Sequence, residues 1–151
     1  MNRPIFFKFE TDFIDTLRCI PMQVRFKLDT CGIKLKLAEW AKFSKKEKAN
    51  LAAMPCKSLE SIQVYRNYLQ ELVFRYTNEQ ATDLPIDPAP VWANLQAIPP
   101  DLVKKLSEVN TFISLTQWQK LTDLQRFALV KLCHSSHESK NFPHALKEFG
   151  L

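Results

Sequence analysis

Cys133, His134 and His137, with His144 further on, are the side chains that come nearest to a metal site in this sequence. His134 and His137 stand three apart, so one helix face would carry both. Their spacing matches no standard zinc pattern, and no Cys-x₂₋₄-Cys pair accompanies them. The plainer reading is a helix C-terminus, where histidine meets the negative end of the dipole. Asp12 and Asp15 form a carboxylate pair, but they read more simply as acids near a helix N-terminus. Cys19 and Cys56 are candidate reactive thiols, although a cysteine is more often a small buried hydrophobe. No GxSxG, HExxH, phosphate-binding loop or dinucleotide fingerprint occurs. The sequence therefore predicts no catalytic residue, no metal site, no cofactor and no enzyme.

A second kind of chemistry is charge. Residues 1–76 carry 14 Lys/Arg and 8 Asp/Glu, whereas residues 77–151 carry 7 and 8. The window Arg25–Lys57 alone holds 9 basic and 3 acidic residues. Such a run is a solvated face, a site for an acidic partner, or a nucleic-acid footprint. The last is disfavoured, because the segment lacks the stacking platform or groove-reading motif of a nucleic-acid binder.

The elements that must position these charges occur twice. Shifted by 78 positions without a gap, Leu17–Leu51 falls on Leu95–Leu129, and nine of the 35 pairs are identical, among them Ile20/Ile98, Pro21/Pro99, Lys27/Lys105 and Trp40/Trp118. A matched proline, tryptophan and cap residues at one offset point to an internal repeat. The repeat is also an internal control on charge. Arg25, Lys34, Lys36, Lys45 and Lys46 face Val103, Phe112, Ser114, Asp123 and Leu124. A scaffold common to both copies would tolerate non-basic residues at all five.

Read alone, residues 22–37 alternate apolar and polar types on both sides of Gly32, which fits a hairpin. The second copy argues for helix. Pro99, Pro100 and Asp101 suit a helix start, and Leu102, Val103 and Leu106 follow helical spacing. Gly32 and Asn110 are the residue types that tolerate a left-handed stop. Both copies are thus expected to form helices, at 21–31 and 99–109, with the hairpin as the competing structure. Each copy continues through an extended Leu-x-Leu or Ile-x-Leu into a short turn carrying its tryptophan. Ser44 with Glu47, Thr122 with Gln125, and Thr116 with Gln119 read as capping boxes. A core helix is expected at Asp123–His134, a long amphipathic helix at 59–77, and a proline-stiffened connector at 82–90. A final helix runs from Asn141 through Phe149, stopped by Gly150. Residues 1–10 suggest a short extended segment, and Thr11 a cap for a helix through Leu17.

These elements make one all-α domain, residues 1–151, of two pseudo-repeated helical halves. The length of 151 residues, 46% hydrophobic content and two glycines agree with that. No apolar run approaches membrane-spanning length, and no secretory segment opens the chain, so a cytoplasmic protein with four free cysteines is expected.

Leu17-Arg18-Cys19-Ile20-Pro21-Met22, Val24-Arg25, Lys27-Leu28-Asp29 and Gly32-Ile33-Lys34-Leu35 resemble the cyanobacterial nitrate-reductase-associated (NarM-like) protein family. So do Arg126-Phe127-Ala128-Leu129, Lys131-Leu132, His137-Glu138, Asn141-Phe142 and the tail Ala145–Leu151. The resemblance covers nearly the whole chain and is weakest across Asn78–Ala97. It implies a non-catalytic accessory protein or small subunit of the assimilatory, ferredoxin-dependent nitrate reductase, needed for that enzyme's activity through protein–protein binding. The reductase catalytic subunit is the implied partner, with ferredoxin as a further one. A maturation chaperone for molybdenum-cofactor or iron–sulfur loading is the competing implication, and a nucleic-acid-binding nitrogen regulator a third. No catalytic residues carry over from the family. The contact residues expected on the first copy are Arg18, Arg25, Lys34, Lys36, Trp40, Lys45 and Lys46.

Overall fold

The computed structural model describes residues 6–10, 19–135 and 140–151. The chain is all-α. Its eight described α-helices are α1 Met22–Cys31, α2 Leu37–Lys42, α3 Lys45–Ala53, α4 Leu59–Thr77, α5 Pro100–Glu108, α6 Leu115–Lys120, α7 Asp123–His134 and α8 Asn141–Glu148. Two 3-10 turns, at Lys8–Glu10 and Val91–Ala93, and one antiparallel ladder of β1 (Ile33–Lys34) with β2 (Thr82–Asp83) complete the described elements. The residues fall into two compact units, Glu10–Asp87 and Pro88–Leu151, the second including Phe7–Phe9. The boundary falls inside the proline-rich connector.

Each unit holds one copy of the repeated sequence, and the elements repeat with it. α2 and α6 begin and end 78 residues apart, α3 and α7 begin 78 apart, and α1 and α5 do the same. The punctuation matches. Both first helices follow a proline. Gly32 (φ 76°) and Asn110 (φ 55°) stop the chain in the left-handed conformation. Ser44 accepts a hydrogen bond from Glu47 N, and Thr122 from Gln125 N, both at 3.1 Å, with Glu47 and Gln125 returning to the cap backbone.

The hairpin across 22–37 does not form. Period-two alternation at Met22, Val24, Phe26 and Leu28 also places Met22, Val24, Leu28 and Cys31 on the buried side of a helix. The extended residues after Gly32 pair instead with the connector, Ile33 opposite Asp83 and Lys34 opposite Thr82. One capping box is displaced. Ser114 with Gln117, not Thr116 with Gln119, opens α6. Two such boxes lie two residues apart in the sequence, and only one sits where the chain turns. The extended reading of residues 1–10 gives way to the 3-10 turn at Lys8–Glu10 for the residues described there. The helix expected from Thr11 through Leu17 lies outside the described residues.

In the first unit the core gathers Val24, Leu28, Trp40, Phe43, Leu51, Tyr65, Leu69 and Val73 around α4. α1 has no side-chain cap of its own, and the buried carboxylate of Glu10 accepts a hydrogen bond from Met22 N at 2.7 Å instead. Arg66 on α4 donates to the carbonyls of Cys31 and Gly32 at 2.9 Å and pairs with Asp83 at 2.5 Å, tying α4 to the end of α1 and to β2. In the second unit α7 is buried on most sides, through Leu124, Phe127, Ala128, Leu129 and Leu132. Rings of Phe7, Phe9 and Phe149 stack and cross with centroids 5.1–6.3 Å apart.

Candidate partner-binding face

The two tryptophans organise their halves. Trp40 and Trp118 are both fully buried, 0% exposed. Each lies under a cation from the helix that follows. Lys48 Nζ stands 5.5 Å from the Trp40 ring centre, and the Arg126 guanidinium 5.9 Å from that of Trp118. Arg126 is buried and donates to the carbonyls of Trp92 (2.8 Å) and Leu121 and to the Asp123 carboxylate, while Trp118 Nε1 donates to Asn94 O at 2.8 Å. Trp40 is therefore a core residue that offers no surface to a partner, and its place among the expected contacts is withdrawn.

The lysines divide in two. Lys27, part of the basic run in the sequence, is buried. Its ammonium donates to Ala52 O at 2.7 Å and Met54 O at 2.6 Å, at the end of α3, and lies 5.8 Å from the Tyr65 ring centre. Burial lowers its pKa to about 8, against a smaller opposing pull from Cys56. Burial also lowers that of Lys48. Lys34, Lys36, Lys42, Lys45 and Lys46, by contrast, are exposed. None of these five makes an ion pair with a described residue. Lys42 belongs with them although it was not among the expected contacts. Its second-copy counterpart is also lysine, so the difference between copies gave no signal there.

The acids of the same stretch are turned inward. Glu39 is buried and accepts from Lys36 N at 2.9 Å. Glu47 accepts from Ser44 N (2.8 Å), Tyr76 Oη (2.7 Å) and Arg75 (3.3 Å). Burial would raise the Glu47 pKa, but the hydrogen bonds from Tyr76 and Ser44 and the charge of Arg75 hold it below the ordinary value. Residues 34–48 carry six lysines against two glutamates; residues 112–126 carry two cations against one acid.

Two of the exposed lysines act against the local structure. Lys45 and Lys46 open α3, where the helix dipole disfavours positive charge by about 0.3–1 kcal/mol each. The second copy places Asp123 and Leu124 at the same two positions, so α7 carries an acid where a helix start prefers one. Other expected contacts are placed as follows. Arg25 is half-buried and donates from Nε to Ile20 O at 2.8 Å. Arg18 lies outside the described residues.

The remaining candidates do not come together. Cys133 Sγ donates to Val130 O at 3.2 Å, and His134 Nε2 stands 3.7 Å from Asp101 Oδ2. His144 is exposed on α8, and His137, like Asp12 and Asp15, lies outside the described residues. No group of three His, Cys, Asp or Glu among the described residues is placed to hold a metal ion. All four cysteines are unpaired. Burial pushes the Cys31 thiol up to about 11 and Cys56 up to about 12. No described helix is long and apolar enough to cross a membrane.

A family model described as conserved nitrate reductase-associated protein matches residues 6–149. No curated protein and no solved structure matches the chain.

Proposed function

The chain belongs to the conserved nitrate reductase-associated protein family, and we propose that it is a non-catalytic accessory protein or small subunit that sustains nitrate reductase by binding it through the first half. The observation that carries this reading is the run of exposed lysines. Five exposed lysines gather in one half, their neighbouring acids are engaged internally, and two of them oppose the helix they open. The repeat forms the same helices without four of them, Lys42 alone being matched by a lysine, Lys120. A feature that the fold does without, and that slightly weakens it, is best explained by a partner. The contact residues are Lys34, Lys36, Lys42, Lys45 and Lys46, with Arg25 at the margin. In the finer form of the proposal, the lysines that the reductase leaves uncovered receive acidic ferredoxin.

Co-purification tests this. Tagged chain from a nitrate-assimilating cell should bring down active, cofactor-loaded reductase in fixed proportion. Recovery of empty reductase, or of cofactor-synthesis proteins instead, would favour a maturation chaperone. Recovery of no reductase would contradict the proposal. The ferredoxin form is separated by the donor. With the reductase saturated by the variant chain, charge reversal of the lysines should slow turnover with ferredoxin and spare turnover with a small artificial reductant, and equal loss with both donors would remove it.

A further inference from the structure

Resting on the proposal that the first half binds the reductase, we infer that Lys34, Lys36, Lys42, Lys45 and Lys46 form a steering surface for a carboxylate-rich protein, setting how fast the partner arrives and not how long it stays.

The kind of cation is the first reason. Every described arginine of the first half is spent inside it. Arg25 donates to Ile20 O, Arg66 to Cys31 O, Gly32 O and Asp83, and Arg75 to Glu47 and Glu71. Across residues 34–46 the exposed charges are all lysine, while Arg75, 53% exposed, is held by Glu47 and Glu71. Arginine grips a carboxylate or phosphate through a rigid two-pronged fork; lysine acts as a hydrated point charge on a flexible stem.

The second reason is the lack of an anchor. Long-lived protein contacts centre on buried Trp, Tyr or Arg side chains that enter a partner's pocket. The two aromatic residues of this stretch, Trp40 and Phe43, are both buried in the unit's own core. Within residues 34–46 the exposed large apolar residue is Leu37, and the Tyr76 ring that reaches the stretch from α4 is held by its hydroxyl's bond to Glu47 at 2.7 Å and by contact with Phe43.

Spacing is the third. Lys34 and Lys36 are two residues apart in an extended stretch, about 7 Å. Lys36 and Lys42 are separated by the length of α2, about 9 Å. Lys42 and Lys45 lie within about 11 Å along the chain. Each step is close to the screening length of about 8 Å at physiological salt. Along the chain, neighbouring charges are therefore close enough for their fields to overlap at a partner's approach, without having to make a continuous footprint. Such a field complements a surface dense in Asp and Glu. It raises association rates by about 10- to 1000-fold and fades steeply with salt.

Stopped-flow association with purified nitrate reductase holoenzyme separates arrival from departure. The test chain carries Lys34→Glu, Lys36→Glu, Lys45→Glu and Lys46→Glu. The control carries Lys104→Glu, Lys120→Glu, Lys140→Glu and Lys147→Glu, the same change in net charge on exposed lysines of the second unit. The first-unit variant should associate at least about 10-fold more slowly at low ionic strength, dissociate within about two-fold of wild type, and lose its deficit at high salt. The control should stay close to wild type. Faster dissociation at an unchanged association rate would overturn the inference, because the lysines would then be anchors. Equal slowing in the control would overturn it too, leaving only net charge. Tighter binding of the chain to duplex DNA than to reductase would replace the protein partner by a nucleic acid. If wild-type chain does not bind reductase at any salt, the proposed function itself fails. Circular dichroism of each variant verifies that the helices are retained.

Discussion

The two halves share one helical plan and differ in the charge they carry on it. Helix starts, left-handed stops, capping boxes and buried tryptophans recur 78 residues apart. In the second half the cation above the tryptophan is buried and fully bonded, and the first turn of α7 carries an acid where a helix prefers one. In the first half the corresponding lysine stands only partly buried, and the first turn of α3 carries two lysines. The shared features mark what the fold needs. The differences mark what it was free to vary, and there the first half gathered charge. The apolar counterpart is visible too, since Phe112, which takes the place of Lys34 in the second copy, is 87% exposed.

The comparison is broken most severely at the tryptophans. Trp40→Ala and Trp118→Ala should each cost about 3–5 kcal/mol in denaturant unfolding, because each empties a core position. Trp118→Phe, which keeps most of the ring but leaves Asn94 O without its donor, should still cost about 1–3 kcal/mol. An unchanged unfolding midpoint in Trp118→Phe would mean that this hydrogen bond adds nothing.

Next is Lys27, whose counterpart Lys105 is half-exposed beside Glu108 at 3.6 Å. Lys27→Met should destabilise by about 1–3 kcal/mol by leaving two carbonyls unpaired at the end of α3, while Lys105→Met should change little. The pH dependence has a definite sign. Between about 8, the folded value, and 10.5 the unfolded chain holds the proton more tightly than the folded one. This group's contribution to stability therefore rises with pH across that window, and the rise should vanish in Lys27→Met.

Gly32→Ala is expected to cost about 1–3 kcal/mol, because φ is 76° and a Cβ would meet Ile86 at 3.0 Å and Leu84 O at 3.1 Å. Asn110→Gly, at the matching stop, should be nearly neutral. The smallest effect sharpens the comparison most. Replacing Lys45 and Lys46 by the second-half residues, as Lys45→Asp and Lys46→Leu, should stabilise the protein by up to about 1–2 kcal/mol while weakening reductase binding. A gain in stability with unchanged binding would return these lysines to the status of an ordinary solvated surface.

Much of this plan was legible in the sequence. The gapless repeat located α1 to α3 against α5 to α7, and cap residues fixed several helix starts within a residue. It also resolved the 22–37 alternation in favour of helix, which period alone could not, since Met22, Val24 and Leu28 fit both patterns. What was not legible depends on side-chain direction and long-range contact. Nothing local distinguishes Lys27, buried against α3, from Lys34 in water. Trp40 looked like a contact residue because it sits among lysines, whereas its ring fills the core. The cap that Glu10 supplies to α1, and the tie from Arg66 to β2, join residues 12 and 17 positions apart and leave no short motif.

The central claim, that the first half is the binding half, is tested most directly by the amount of reductase that each reversed chain captures. Tagged wild type, the first-unit four-lysine reversal and the second-unit control would be titrated with reductase at equal protein concentration and low salt. The account predicts that wild type and control retain reductase to the same extent while the first-unit reversal retains at least about 10-fold less at subsaturating reductase. Equal retention by all three chains, or equal loss from both reversals, would contradict it.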